Sequence, residues 1–163
     1  MSAQLVKPNP VFMRLAIDTV RAHLAALEGG PFGACLVRGD EVLAVAHNTV
    51  LKDLDPTCHA EMKAIRLAAR KLQSYDLSGC EIYSTTEPCP MCFAAIHWAR
   101  INRLIYGTTI SEVVRLGFNE ITIDNRRMQD LGRSRVAIYH GFLADECRQL
   151  LIQWAQIPGR QVY

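Results

Sequence analysis

The segments CHAE at residues 58–61 and EPCPMC at residues 87–92 decide how this sequence folds and which chemistry it supports. Each segment stands where a predicted loop enters a predicted helix. Cys89 and Cys92 have the spacing C-x-x-C, which places both sulfurs on one side of the first turn of a helix. Together with the imidazole of His59 they form a set of three ligands that fits one metal ion.

Zinc is the ion that we expect at this set, one per subunit. Two thiolates and an imidazole suit Zn²⁺, and a helix N-terminus stabilises thiolates. Three protein ligands with one open position are typical of catalytic zinc, which lowers the pKa of a bound water to about 7. Glu61 follows two residues after His59, so its carboxylate is placed to take a proton from water and deliver it to a substrate.

Two other interpretations of the cysteine pair stay open. The spacing C-x-x-C also occurs in thioredoxin-like redox sites and in structural zinc sites. The redox interpretation leaves His59 and Glu61 without a role, and a structural zinc site has no use for the Glu61 carboxylate, so the pattern favours catalytic zinc. The other four cysteines are predicted to be buried thiols, because Cys58 faces away from its neighbour His59 and the rest lie in apolar surroundings. These are Cys35, Cys80 and Cys147.

Composition indicates one globular domain, residues 1–163. Of the 163 residues, 50% are hydrophobic and 21% are charged, which excludes a disordered chain. The net charge of +2 is small for a dedicated nucleic-acid binder. The sequence has neither a signal-peptide pattern nor an apolar run of about eighteen residues, so we expect a cytoplasmic protein that does not enter a membrane.

Alternating strands and helices predict an α/β fold. Residues 1–10 are expected to be a loose arm, and a helix follows from Val11 until Gly29 and Gly30 stop it. Residues 119–134 have no clear pattern. The further strands are predicted at 33–37, 42–46, 80–84, 103–106 and 135–139. The further helices are predicted at 58–72, 91–100, 111–116 and 144–156.

The order H-x-E followed by P-C-x-x-C resembles the signature of zinc deaminases, and the chain is similar to the cytidine deaminase superfamily from about Gly30 to Tyr106. The resemblance implies a three-layer α/β/α sandwich with a central mixed five-stranded sheet. It also implies a homodimer. Several stretches are most similar to bacterial guanine deaminases within that superfamily. They are residues 29–33, residues 96–100, residues 117–120 and the aromatic C-terminal residue Tyr163.

This resemblance implies a purine pocket and the hydrolysis of guanine to xanthine and ammonia. Phe32 and Trp98 would form its stacking walls, since a flat base needs an aromatic surface. Glu120 would accept hydrogen bonds from the amino edge of guanine and take part in catalysis with Glu61. Asn48 would bind the base edge. Ala60 would also contact the substrate, and the tail 157–163 would cross to the other subunit, where Tyr163 closes the pocket.

Other substrates stay open at this point. Residues 142–147 resemble the last helix of tRNA adenosine deaminases, and a group of arginines could contact phosphates, so tRNA is the alternative partner. The arginines are Arg126, Arg127, Arg133 and Arg135. The segment after Tyr106, however, lacks the small, lysine-bearing loop of those enzymes. Cytosine, or a triazine that resembles the pyrimidine ring of guanine, is a further possibility.

Overall fold

The computed structural model describes residues 7–163, and its centre is a mixed five-stranded sheet. The strand order is β2-β1-β3-β4-β5. Strand β1 is antiparallel to both of its neighbours, whereas β3, β4 and β5 run parallel to one another. The strands are β1 Gly33–Arg38, β2 Glu41–His47, β3 Cys80–Thr86, β4 Arg103–Thr108 and β5 Ala137–Tyr139.

Seven helices surround the sheet in the described part of the chain. A 3₁₀ turn, Leu24–Ala26, follows the first helix, so the chain leaves the α-helix before Gly29, where the glycine pair predicted its end. The segment 119–134, which had no clear pattern, contains α6. The helices are α1 Pro10–His23, α2 Val50–Asp53, α3 Ala60–Leu72, α4 Pro90–Trp98, α5 Ile110–Val114, α6 Asn125–Gly132 and α7 Ala144–Ala155.

Helices cover both faces of the sheet, which confirms the predicted three-layer α/β/α sandwich. On one face, the alanines of α3 and the apolar residues of α4 pack on Leu36, Ile82 and Leu104. On the other face, α1 and α7 pack on Cys35, Tyr83 and Ile105, among others. Both faces of β1, β3 and β4 are therefore buried, as the nearly continuous apolar runs of β1 and β4 require.

The first helix begins within the segment 1–10 that was predicted as a loose arm. Asn9 caps α1, since its side-chain oxygen accepts a hydrogen bond from Val11 N at 3.0 Å. Its own backbone N–H donates to the hydroxyl of Tyr83 at 3.1 Å. Pro10 is then the first residue of the helix, a position where proline is favoured. The rest of the predicted arm, residues 1–6, lies outside the described residues.

The topology places the CHAE and EPCPMC segments side by side. Helix α3 follows the β1–β2 hairpin, and α4 follows β3; both helices pack on the same face of the sheet. Their N-termini meet at the end of the sheet where the parallel strands β3 and β4 finish, which is the usual position of sites in α/β sheets. Among residues 7–163, no helix combines the length and apolarity that crossing a bilayer requires.

Candidate active site

Three side chains converge where α3 and α4 begin. His59 and Cys89 are the residues that immediately precede these helices, and Cys92 lies in the first turn of α4. Their ligand atoms all lie within 4.8 Å of one another. His59 Nδ1 is 3.6 Å from the Sγ atoms of both cysteines. A tetrahedral zinc ion with ordinary bond lengths holds nitrogen and sulfur about 3.5 Å apart, so this set fits zinc.

The surroundings of Cys89 favour its thiolate. The hydrogen bond from Cys92, followed by that from His59, lowers the pKa of the Cys89 thiol to about 4. Both sulfurs lie at the N-terminus of α4, whose free N–H groups attract negative charge. A metal ligand has to be deprotonated, so Cys89 is prepared for binding before the ion arrives.

Glu61 is buried beside these ligands, with only 5% of its surface exposed. It lies in the first turn of α3, and its Oε2 is 3.6 Å from Cys92 Sγ. Its Oε1 is 3.0 Å from Ser84 Oγ, which in turn is 2.6 Å from the carbonyl oxygen of Thr86. The Ser84 hydroxyl can donate to Glu61 when this carboxylate is ionised, and accept from it when it is protonated. Burial raises the pKa of Glu61, which favours its protonated form more than in a free carboxyl group.

A small cavity opens onto the metal ligands and Glu61. Glu120 contributes a second, half-buried carboxylate to this cavity, and burial raises its pKa as well. Phe32 contributes an aromatic ring, which is held edge to face against Phe118 with 5.1 Å between the ring centroids. The lining residues are Phe32, His59, Glu61, Thr86, Glu87, Cys89 and Glu120.

A buried amide lies at the end of β2, next to the C-terminal tyrosine. Asn48 Oδ1 accepts hydrogen bonds from the Tyr163 hydroxyl at 2.6 Å and from Val50 N at 3.1 Å. Its Nδ2 is buried and has no hydrogen-bond partner within residues 7–163. A buried donor without a partner is costly, so this N–H group is available to a ligand.

The tail packs on its own chain in this single-chain structure, and its exchange with a second subunit stays a prediction. The Tyr163 hydroxyl accepts from Gly30 N at 2.9 Å, and the backbone oxygen of Tyr163 accepts from Asn119 N at 3.0 Å. Burial raises the pKa of Tyr163 to about 12. Its hydroxyl is therefore protonated at neutral pH and can donate to Asn48.

Four predicted substrate contacts are not among the residues that line this cavity: Asn48, Ala60, Trp98 and Tyr163. Asn48 lines a separate small cavity with Glu28 and His47. Trp98 ends α4 and is 74% exposed. The nine helical steps from Cys89 correspond to about 13 Å at 1.5 Å per residue, so its ring lies at the opposite end of the helix. The Ala60 side chain is fully buried in the core between α3 and the sheet. Only the backbone of Ala60 remains as a group that a substrate can contact.

Glu87 is a buried member of the site to which the sequence reasoning assigned no role. Its Oε1 accepts from Asn125 N at 2.9 Å and from the Tyr106 hydroxyl at 3.2 Å, and its Oε2 accepts from Ile110 N at 3.1 Å. This carboxylate ties the starts of α5 and α6 to the metal-binding loop. Its position in the sequence could have indicated this role. Glu87 begins the segment EPCPMC, two residues before the ligand Cys89, where a surface charge has no obvious purpose.

Gly29 packs directly against Asn48, which leads to a prediction. A Cβ atom at residue 29 would lie 2.1 Å from Asn48 Oδ1 and 2.8 Å from its backbone oxygen. We expect Gly29→Ala to displace the amide and raise KM for the substrate about tenfold, the loss of roughly one hydrogen bond. The matched control is Gly132→Ala, since a Cβ there meets nothing within 4 Å. Equal KM values for both variants in steady-state assays would count against a substrate role for Asn48.

The fold and this group of residues define a class of protein. An imidazole and two cysteine sulfurs beside a buried glutamate, on the N-termini of two helices, form the arrangement of a zinc-dependent deaminase. Residues 7–108 match the family described as the cytidine and deoxycytidylate deaminase zinc-binding region, and all three ligands lie in this range. The chain therefore belongs to the cytidine deaminase family, and zinc is its cofactor.

Relatives in this family act on different substrates. The chain is 38% identical over 112 residues to the guanine deaminase of Bacillus subtilis, covering 69% of this chain and 72% of that protein. It is 34% identical over 145 residues to the tRNA-specific adenosine deaminase of Haemophilus influenzae, covering 88% and 81%. Among solved structures, the guanine deaminase of Nitrosomonas europaea is similar at a TM-score of 0.83 and 29% identity, covering 94% of this chain and 88% of that one.

Proposed function

We propose that this protein hydrolyses guanine to xanthine and ammonia. The observation that carries the proposal is the position of Glu120, whose carboxylate lines the same cavity as His59 and Glu61. Guanine presents two donors, N1–H and its exocyclic amine, and a carboxylate can only accept. Adenine has an acceptor at N1, which a carboxylate would repel. The similarity to two guanine deaminases supports the same choice.

The metal ligands, Glu61 and Ser84 have different roles in the proposed reaction. His59, Cys89 and Cys92 would hold Zn²⁺, which supplies Lewis acidity that makes water a nucleophile at neutral pH. Glu61 takes a proton from the water, gives it to a ring nitrogen of the base, and later supplies a proton to the departing amine. Ser84 keeps the Glu61 carboxyl group in place in both of its protonation states. One water is consumed and one ammonia is released.

The remaining residues of the pocket bind the base and exclude water. Phe32 offers its ring to one face of the purine. Asn48 Nδ2 is the free donor for an acceptor on the base edge. Tyr163 donates to the other end of this amide, and its ring packs at right angles on Phe118 with centroids 5.5 Å apart. Excluding bulk water strengthens the electrostatic interactions within the site.

Deamination of adenosine in tRNA is the second candidate function. It is favoured by the similarity to tRNA-specific adenosine deaminases and by the exposed Arg126 and Arg127 at the start of α6. Their neighbour Asn125 donates to the carbonyl of Pro88, next to the metal ligand Cys89, at 2.6 Å. Two cations therefore lie near the mouth of the site, where a phosphate backbone would pass.

A screen for ammonia release decides between these candidates. The zinc-loaded protein is incubated with guanine, adenine, cytosine, their nucleosides and tRNA. We expect release from guanine, together with the change of the ultraviolet spectrum that accompanies xanthine formation. Release from tRNA alone, with binding that weakens steeply as salt is added, would reject the guanine proposal in favour of the second candidate.

The substitution Glu120→Gln tests which edge of the base is bound. Replacing the carboxylate puts an amide N–H₂ group opposite the guanine donors and removes a charge-assisted hydrogen bond. We expect kcat/KM for guanine to fall about 10- to 100-fold, since such bonds contribute about 1.5–3 kcal/mol. The control is Glu41→Gln, because Glu41 is exposed and forms only a surface ion pair with Lys71. A Glu120→Gln enzyme that retains the wild-type kcat/KM would show that guanine is held in another way.

A further inference from the structure

Two imidazole rings stack next to Asn48. His23 ends α1 and His47 ends β2, and their ring centroids are 3.9 Å apart with 14° between the planes. His23 Nδ1 lies 2.8 Å from the carbonyl oxygen of Thr19. His47 Nε2 lies 2.7 Å from Glu28 Oε2. Since both oxygens accept hydrogen bonds, His23 carries its proton on Nδ1 and His47 on Nε2.

Glu28 clamps the chain on both sides of Asn48. Its side chain accepts from His47 before Asn48, and from Lys52 Nζ after it at 2.7 Å. Its backbone oxygen accepts from Leu51 N at 3.1 Å and from Lys52 N at 2.9 Å. These hydrogen bonds with Lys52 and His47 lower the pKa of Glu28 to about 2, so it is ionised at every pH at which the enzyme would be assayed.

The clamp and the stack form the wall behind the amide. A small cavity is bounded by both imidazoles, by Glu28 and by Asn48 itself. The side chains of Glu28 and His47 are each 17% exposed, so their hydrogen bond is largely shielded from water. The backbone of Asn48 is held from the other side, where its N–H donates to the carbonyl of Phe32 at 3.0 Å. His47 directly precedes Asn48 in the chain, so the hydrogen bond between His47 and Glu28 fixes the backbone next to the amide.

We propose that His47 is a positioning residue for the base-binding amide of Asn48, and that its stack with His23 makes this positioning fail in acid. The proposal rests on the proposed function, in which Asn48 binds the base. With both rings neutral, the stack is compact and His47 donates to Glu28. With both rings protonated, two positive charges lie 3.9 Å apart in a partly buried place and repel each other. The end of β2 then moves away from α1 and carries Asn48 with it.

The charges around His47 set the pH range of this change. His47 faces Glu28 from the loop after α1, His23 from α1 itself and Lys63 from α3. Burial, which outweighs the opposing effect of Glu28, lowers the pKa of His47 below its ordinary value of 6.5. The folded state therefore disfavours protonated His47. The contribution of neutral His47 to the stability of this arrangement is complete above pH 6.5 and declines as the pH falls below that value.

Steady-state kinetics between pH 5 and pH 8 test the proposal, with the base identified in the ammonia screen as substrate. At pH 7.5 we expect His47→Leu to raise KM about tenfold with little change in kcat, because one hydrogen bond of the clamp is lost. His47→Gln should restore the wild-type KM, since its amide can still donate to Glu28. The matched control is His97→Gln, which changes an exposed histidine at the far end of α4.

The acid response distinguishes the stack from a simple structural role. Wild-type KM should rise several-fold from pH 7.5 to pH 5.5, the cost of about one hydrogen bond. His23→Phe, which keeps a ring in the stack but removes one charge, should keep KM nearly constant over this range. A KM for His47→Leu equal to that of wild type, or an unchanged acid response in His23→Phe, would overturn the proposal.

Nuclear magnetic resonance supplies a measurement that does not depend on turnover. We expect the ring ¹⁵N signals of His47 to show the Nε2–H tautomer, and the side-chain amide signals of Asn48 to shift as His47 titrates. The Nδ1–H tautomer, or Asn48 signals that do not follow the titration, would reject the proposal even if no base were deaminated. Failure of the proposed function and failure of this inference are therefore distinguishable, and thermal unfolding of each variant verifies that it is folded.

Discussion

The Glu61→Gln variant is expected to lose at least about 100-fold in kcat for base deamination, as a missing general acid–base does. The amide has nearly the same shape and can still interact with Ser84, which lies 3.0 Å away. It cannot take up a proton from water or release one to the base. Because the three metal ligands are unchanged, we expect one zinc ion per chain, measured by elemental analysis.

The control for this substitution is Glu146→Gln. Glu146 is a partly exposed carboxylate of α7 that pairs with Arg14 at 2.9 Å. Helix α7 packs on the opposite face of the sheet from α3. Its replacement should leave kcat within about twofold, because exposed ion pairs contribute little. An active, zinc-loaded Glu61→Gln enzyme would remove this glutamate from the mechanism, and another group would have to move the protons.

The Cys89→Ala variant is expected to lose zinc, activity and stability together. Two ligands cannot hold the ion as three do, and the binding free energy of a metal is part of the folding free energy. We expect activity below detection, and a fall in Tm of about 5–10 °C for a loss of a few kcal/mol. Differential scanning calorimetry and zinc analysis measure the two effects on the same sample.

Cys58→Ala is the matched control, since this buried thiol is adjacent to His59 but lies outside the ligand group. It should keep its zinc and its activity. Adding a chelator to wild type should reproduce the Cys89→Ala result, and adding zinc should reverse it. Full zinc occupancy in Cys89→Ala would mean that the ion has a different set of ligands.

The metal ligands could be predicted from sequence because their geometry is local. Spacing alone puts Cys89 and Cys92 on one side of a helix turn, and His59 and Glu61 are fixed in the same way at the start of α3. The mixed sheet and the three layers followed from the family resemblance, and the structure confirms both. The positions of the ligands, in contrast, depend on short-range rules that tertiary packing does not override here.

The pocket walls could not be derived in this way because they depend on contacts far apart in sequence. Tyr163 and Asn48 are separated by 115 positions, and no local sequence pattern indicates their hydrogen bond. Trp98 has an aromatic ring suited to stacking, but it is the last residue of α4, and the cavity lies at the start of that helix. The clamp by Glu28 was missed for the same reason, since a charge before two glycines is typical of an exposed loop.

The predicted strands β3 and β4 ended two residues too early, and the reason is physical. Strands β3 and β4 continue to Thr86 and Thr108, which pair in register and share a hydrogen bond of 2.8 Å between their hydroxyls. Polar threonines look like the start of a loop in a single sequence. In the folded chain they extend the sheet to the site and bring Glu87 within reach of three donors.

His59 and Cys89 come from different helices and are 30 positions apart in the chain. An ion that joins them acts as a reversible cross-link, which closes a loop and restricts the unfolded ensemble. A covalent link that spans a loop of this size stabilises a protein by roughly 3–4 kcal/mol in the chain-entropy model. We therefore expect the zinc-loaded protein to resist proteolysis longer than the same protein treated with a chelator.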